Sequence, residues 1–294
     1  MAVNLKTERG SALRAARKDK MYYKHNLDYK YPDKCDEHML VVKRMRKTNF
    51  DENFDYADKR ASRKIKNFFF WLAMNVIVFP LIRITHGLKI HGKKNYKKNK
   101  HLFKNGAITI SNHVFKWDFI CVIKAIRPHL VRFPAWQDNF EGPDAKLIRW
   151  AGGMPIPTHS YKAMGRFKRD FEEQIESGKW IHFFPEGSMW YFYPDIRPLK
   201  PMVFKYAVKY NRPIIPMSFS FRKRRGITRL FTKKPCVDLH VGDPLIPNPQ
   251  APAHEEIKRL HTEAYDLMQR MAGITPDMEN YRTSQNIDEY QKTM

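Results

Sequence analysis

In the stretch SNHVFKWDF, residues 111–119, an aspartate follows a histidine by five residues. The apolar run at 107–111 reads as a buried strand ending at Ser111. Asn112 and His113 therefore fall at a strand exit, where α/β folds hold their ligands. On a regular helix an offset of five residues is about 140° of rotation, which would part His113 from Asp118. If the chain instead turns between them and Asp118 begins the next helix, its carboxylate can accept a hydrogen bond from one ring nitrogen of His113. That fixes the tautomer and leaves the other nitrogen as a base. Such a base takes the proton of an alcohol as the alcohol attacks a carbonyl, and no serine nucleophile is needed if the alcohol is the substrate. The same spacing also fits a helix-capping Asp118 beside a hydrogen-bonded loop histidine.

A second stretch, FFPEGSMW at 183–190, has the same form. A strand ends in the turn Pro185-Glu186-Gly187, whose glycine lets backbone approach a ligand closely. If the two strands are parallel neighbours, Glu186 reaches the sheet edge that carries His113, where a carboxylate can accept hydrogen bonds from substrate hydroxyls. A plain strand-to-loop turn accounts for the same residues. The chain has no GxSxG elbow, no GxGxxG, no P-loop and no His/Cys cluster at zinc spacing, which sets aside several large enzyme classes.

The elements that must position these residues alternate. Strand-like runs at 107–111, 180–184, 213–221 and 238–241 are separated by helical stretches at 119–125, 161–176 and 202–210, which predicts an α/β layer fold with a largely parallel sheet. A long amphipathic helix is expected over 253–272, ending at Gly273. The most apolar run, FFFWLAMNVIVFPLI at 68–82, has 15 residues, against about 20 for a spanning helix. It is interrupted by Asn75 and Pro80 and flanked on both sides by Lys and Arg. Basic residues at both ends fit a helix or re-entrant hairpin embedded in one leaflet, with both ends cytoplasmic. A buried core helix or a true span are the other readings. The organisation expected is a basic segment over 1–66, a membrane-associated segment over 67–86, a catalytic domain over 87–273 and a polar tail over 274–294. Residues 1–66 lack sustained apolar periodicity beyond patches such as 39–42. They read as irregular chain, docked on the rest, on a membrane, or solvated.

The net charge of +24 far exceeds the roughly 2–8 that solubility asks of a small domain, and so favours an anionic partner. Nucleic acid is not expected: the basic residues are spread along the chain, with no RRM, zinc-finger or helix-turn-helix signature. Cys35, Cys121 and Cys236 are far apart and odd in number, which argues for a reducing, cytoplasmic setting.

Taken together, the two motifs resemble those of the lysophospholipid acyltransferase family, which includes the bacterial 1-acyl-glycerol-3-phosphate acyltransferases. Asn112, His113 and Asp118 match its NHxxxxD motif, and Phe184, Pro185, Glu186, Gly187 and Ser188 match its FPEG motif. GGMPIPT at 152–158 is similar in shape to its second motif, and Pro213-Ile-Ile-Pro216 to its fourth. The resemblance covers roughly residues 88–245. It implies transfer of an acyl group from acyl-CoA or acyl-carrier protein to a lyso-glycerolipid, with His113 and Asp118 catalytic and no metal or other cofactor. Asn112, Glu186, Gly187 and Ser188 would lie at the substrate. It also implies a mixed, largely parallel sheet wrapped by helices, with membrane-associated helices at the N-terminus. Two departures stand out. Thr158 and Met189 occupy places where the family carries arginines that help hold the acceptor's phosphate. Lys162 and Arg166 are the first candidates to replace them, with Arg197 and Lys200 after them. The aromatic run 190–193 could be core, lipid-facing surface or an altered acceptor wall. A rival reading is a non-catalytic lipid-binding protein on the same scaffold.

Overall fold

Short apolar, β-branched runs bounded by turn residues become the strands of one sheet. The computed structural model describes residues 27–35, 37–58, 63–230 and 232–274. Its strands are β1 (Lys89–His91), β2 (Ile108–Ile110), β3 (Val131–Trp136), β4 (Gly153–Ile156), β5 (Trp180–Phe183), β6 (Ile214–Arg222) and β7 (Cys236–Val241). They lie in the order β1-β7-β6-β2-β5-β3-β4. Every pairing is parallel except β6 with β7, so the fold is α/β with a mixed, mostly parallel sheet. β2 sits between β5 and β6 and is buried at every position, as an unbroken apolar run in a central parallel strand should be.

Three strands go beyond those expected, and each lacks the usual signal. β1 is three residues long, alternates exposed and half-buried, and lies at the sheet edge. β3 and β4 contain Pro134 and Pro155. Proline cannot donate to a ladder and is tolerated where one side of the strand is unpaired. β3 meets that condition by pairing with β5 through Val131 and Arg132 and with β4 only from Phe133 onward.

The helices are α1 (Arg63–Ala73), α2 (Phe79–Thr85), α3 (Lys93–Lys98), α4 (Asp118–Ile126), α5 (Ala145–Trp150), α6 (Tyr161–Glu176), α7 (Met202–Lys209) and α8 (Ala253–Ala272). The Ser160 hydroxyl caps α6 by accepting from Ala163 N at 3.3 Å. Gly273, at φ +80°, ends α8 in a left-handed turn. One core cluster joins α4 and the 63–85 helix to the sheet; a second joins α6, α7 and α8 to it.

Residues 63–85 form one continuous helix, not a re-entrant hairpin, with a π-helical turn at Met74–Val78 between α1 and α2. Pro80 offers no N–H to the turn before it, and Asn75 Nδ2 donates to Trp71 O at 2.6 Å; both loosen the α-helical ladder there. The stretch Phe68–Thr85 is 18 residues long, longer than the uninterrupted apolar run, and is by length and composition able to cross a membrane. One side, Phe70, Met74, Phe79 and Ile82, is buried against the domain, while Phe68, Phe69, Leu72, Val76, Ile77, Leu81 and Ile84 are more than half exposed.

The described residues before this helix are irregular and docked on the domain. Tyr31 Oη donates to Tyr191 O at 2.9 Å, and Trp190 Nε1 to Glu37 O at 2.9 Å. Arg44 pairs with buried Asp138 at 2.9 Å. The expectations for residues 1–26 and for the tail beyond 274 lie outside the described residues.

Candidate active site

β2 and β5 are parallel neighbours with Ile110 opposite Phe183, so the chain leaves both strands at the same edge. His113 lies three residues past the end of β2 and Glu186 three residues past the end of β5. The turn between His113 and α4 brings Asp118 to the first position of that helix. Its Oδ2 accepts from His113 Nδ1 at 2.6 Å, from Val114 N at 2.9 Å and from Phe115 N at 3.4 Å. The carboxylate is fully buried at the N-terminal end of α4. His113 keeps 24% of its side chain exposed, and its ring stacks on Phe184 at 4.0 Å between centroids. With Nδ1 held by Asp118, Nε2 is the nitrogen open to a substrate. The helix-start geometry therefore holds, and Asp118 also ties down the backbone of the turn, so the catalytic and capping readings of this residue describe one arrangement.

Glu186 is placed differently from the expectation. It is 2% exposed, and both of its oxygens are taken by protein donors. Oε2 accepts from His113 N at 2.9 Å and Arg197 Nη2 at 2.8 Å; Oε1 accepts from Arg197 N at 2.9 Å. It fixes the histidine's backbone through these bonds. Ser188 is buried beside it and accepts from Arg197 Nη1 at 2.6 Å. Arg197 also donates to Cys35 O at 2.8 Å and lies over the Trp190 ring at 4.4 Å. It is thus a buried tie between the Pro185-Glu186-Gly187 turn and the N-terminal strap. Asn112 is also buried: Nδ2 donates to Phe219 O at 3.1 Å and Oδ1 accepts from Phe219 N at 2.7 Å, locking the exit of β2 to β6.

His113 opens onto a cavity of about 790 Å³, within the roughly 300–1,000 Å³ of ligand clefts. Its walls are mainly apolar, with Phe119, Phe133, Trp136, Phe171 and Tyr206 among them. Gly187 and Ser188 line it near the histidine. Gly187 has φ +81°, and a Cβ there would stand 2.8 Å from Lys200 Nζ, so the lysine stem lies across this glycine. Lys200, Lys116 and Lys43 reach the cavity; Lys116 pairs with Asp144 at 2.5 Å.

Lys162 and Arg166 do not line it. α6 turns Phe167 and Phe171 to the cavity, and residues 166 and 162 lie about 100° and 140° around the helix from 167. Lys162 is exposed, and Arg166 pairs with Asp170 at 3.2 Å on its own helix. Of the candidates offered for the missing arginines, Lys200 alone reaches the cavity. Thr158 and Met189 are both in the lining.

The aromatic run divides between core and wall. Trp190 N donates to His113 O at 3.1 Å and Phe192 N to Val114 O at 2.7 Å, a short ladder along the turn from His113 to Asp118. Trp190 and Phe192 are buried, whereas Tyr191 lines the cavity. The strap supplies a wall that spacing alone does not reveal: His38, Leu40, Val41 and Val42 line the cavity, and His38 stacks on Trp136 at 4.6 Å. The patch at 39–42 was its one legible signal. Burial, then the neighbouring Lys200, His113 and Arg197, lowers the His38 pKa. His182, on β5 near His113, bonds Thr109 Oγ1 at 2.9 Å; burial, with His113 nearby, pushes its pKa down to about 3, so it stays neutral. Among the described residues no group of three or more His, Cys, Asp or Glu side chains could hold a metal ion.

Residues 87–220 match the sequence model of the Acyltransferase family. Among solved structures it is similar to the crystal structure of the 1-acyl-sn-glycerophosphate (LPA) acyltransferase PlsC from Thermotoga maritima, at 18% identity and a TM-score of 0.45, over 71% of this chain and 96% of that one. No curated protein sequence matches it.

Proposed function

We propose that this acyltransferase moves a fatty acyl group from a thioester donor, acyl-CoA or acyl-carrier protein, to a hydroxyl of a lysophospholipid or related glycerolipid, and so serves phospholipid synthesis. His113 is the general base, and no metal or other cofactor takes part. The observation that carries this reading is the His113–Asp118 pair, joined at 2.6 Å, in the wall of a largely apolar cavity of about 790 Å³. His113 Nε2 takes the proton of the acceptor hydroxyl as its oxygen bonds to the thioester carbonyl carbon. The carbon–sulfur bond then breaks, and the imidazolium returns that proton to the leaving sulfur. Asp118 steadies the imidazolium between the two steps. Aromatic walls suit an acyl chain, and Lys200 suits a phosphate as a point charge.

The chain sits on the cytoplasmic side of a membrane with the 63–85 helix in one leaflet. Support comes from the helix being packed on the domain from Phe70 to Ile82 while its other side is apolar and exposed. A helix held along its length in this way lies at the interface, because crossing would carry the attached domain into hydrocarbon.

The test is mass spectrometry of lipids after the purified protein meets acyl-CoA or acyl-carrier protein and a panel of lyso-acceptors. A diacyl product that His113→Ala fails to form supports the reading. No acyl transfer to any lyso-acceptor from either donor would overturn it.

A further inference from the structure

Between β6 and β7 the chain reads RKRRGITRLFTKK, residues 222–234: seven of thirteen residues are basic and none is acidic. Two of the seven are structural. Arg222 pairs with Asp238 at 2.9 Å and also donates to Gly87 O. Arg224 is buried, donating to Thr85 O at 2.6 Å and to Lys234 O at 3.0 Å, which closes the base of the loop. Of the rest, Lys223, Arg229, Lys233 and Lys234 are exposed, as is Arg225, which has a partner of its own. Between them the turn Ile227–Leu230 holds two apolar side chains out to solvent, Ile227 at 71% and Leu230 at 77% exposure.

The position of this loop is as telling as its composition. Its base is bonded to the end of α2, where Leu81 and Ile84 are exposed. It also stands at the catalytic edge of the sheet. β6 is parallel to β2 and runs six residues past its last pairing at Pro216, roughly 20 Å, so it emerges on the side where His113 leaves β2. The other exposed lysine cluster, Lys94, Lys97 and Lys98 on α3, is elsewhere. Asn95 Nδ2 holds α3 to Val241 O at 3.0 Å, at the far end of β7, five strand steps or roughly 17 Å from Cys236.

We infer that the 222–234 loop is a second membrane contact: its exposed cations bind anionic lipid headgroups, Ile227 and Leu230 enter the interface, and the loop and the 63–85 helix together turn the catalytic edge toward the bilayer. The occupant is an anionic lipid surface. The exposed Lys223, Arg229, Lys233 and Lys234 complement it, and the base of the loop is bonded to the end of α2, beside the exposed Leu81 and Ile84. The inference rests on the membrane association proposed above.

Vesicle co-sedimentation of the full chain tests it, with phosphatidylcholine alone and with added phosphatidylserine. Arg229→Glu/Lys233→Glu should lower partitioning onto the anionic vesicles by about tenfold or more and leave binding to phosphatidylcholine unchanged. Ile227→Ser/Leu230→Ser should weaken binding to both. Lys94→Glu/Lys97→Glu, with the same charge change more than a Debye length away, should shift binding by less than about twofold. Val76→Ser/Ile77→Ser/Leu81→Ser should release the protein from both vesicle types. Unchanged melting transitions confirm that each variant is folded. If the helix variant is released but the loop variants bind like the parent chain, or if the α3 variant loses as much as the Arg229/Lys233 variant, the loop assignment is wrong and the membrane reading stands. If the parent chain binds neither vesicle, both fail.

Discussion

His113 reaches its place through bonds made by buried residues. Asp118 holds its ring, Glu186 holds its backbone, and Arg197 holds Glu186. A positioned general base is worth roughly 10²–10⁴ in rate, so His113→Ala should lower kcat by about that factor while the protein stays folded. Asp118→Asn should lower kcat substantially as well, by disturbing the tautomer that Nδ1 donation fixes. Steady-state acyl transfer checks both, and near-full activity in His113→Ala would remove the mechanism. Thr158 and Met189 line the cavity without a guanidinium fork, and Lys200 offers only a point charge. Lysophosphatidic acid should therefore not be preferred over a head-substituted lysophospholipid or lyso-glycolipid. A comparison of kcat/KM with one donor decides this: a preference above about tenfold, roughly 1.4 kcal/mol in transition-state binding, would refute it.

At the scale of elements, the strap between residues 27 and 58 is the component that gives this cavity its own shape. It crosses the edge where β2 and β5 end, bonded by Arg197 to Cys35 and by Arg44 to Asp138. Because Leu40 lies in the wall, bulk added there takes volume from the cavity. Leu40→Trp should reduce kcat/KM for long-chain donors several-fold more than for short-chain donors, the order of effect of one or two methylenes in an apolar pocket. A donor-length series with both proteins checks this. Equal losses at every chain length would show that residue 40 does not meet the acyl chain.

The whole molecule carries a pH liability inside its core. Burial, assisted by Lys234 and Arg224, pushes His86 down to about 4; burial, with His113, takes His182 to about 3; and burial, with His91, takes His240 to about 4. An unfolded histidine titrates near 6.5, so between that pH and about 4 the unfolded chain binds protons that the folded chain does not. Stability is then full above about 6.5 and falls as pH drops toward the folded values. The urea midpoint should decline from about pH 7 to about pH 5, and His182→Gln should make the decline shallower. A flat midpoint over that range would show that these side chains titrate normally in the fold.

Much of the architecture was legible because it rests on local pattern. The central strands are apolar runs, α6 begins at a capping serine and α8 ends at a glycine in the left-handed region, so their bounds follow from the chain itself. The His113–Asp118 pair was legible for the same reason, since five residues and one turn close it. β1, β3 and β4 were not, being short or proline-bearing strands whose pairing is set by neighbours distant in sequence. The roles of Glu186 and Arg197 likewise depend on partners 73 and 11 residues away. Lys162 and Arg166 carry the right charge, but the rotation of α6 aims its aromatic side at the cavity. Composition could say that so basic a chain favours an anionic partner, and the two motifs that a site lies at the exits of β2 and β5. Only the packing of strap, helix and sheet decided which side chains line that place, because burial and direction are properties of the assembled layers and not of any single segment.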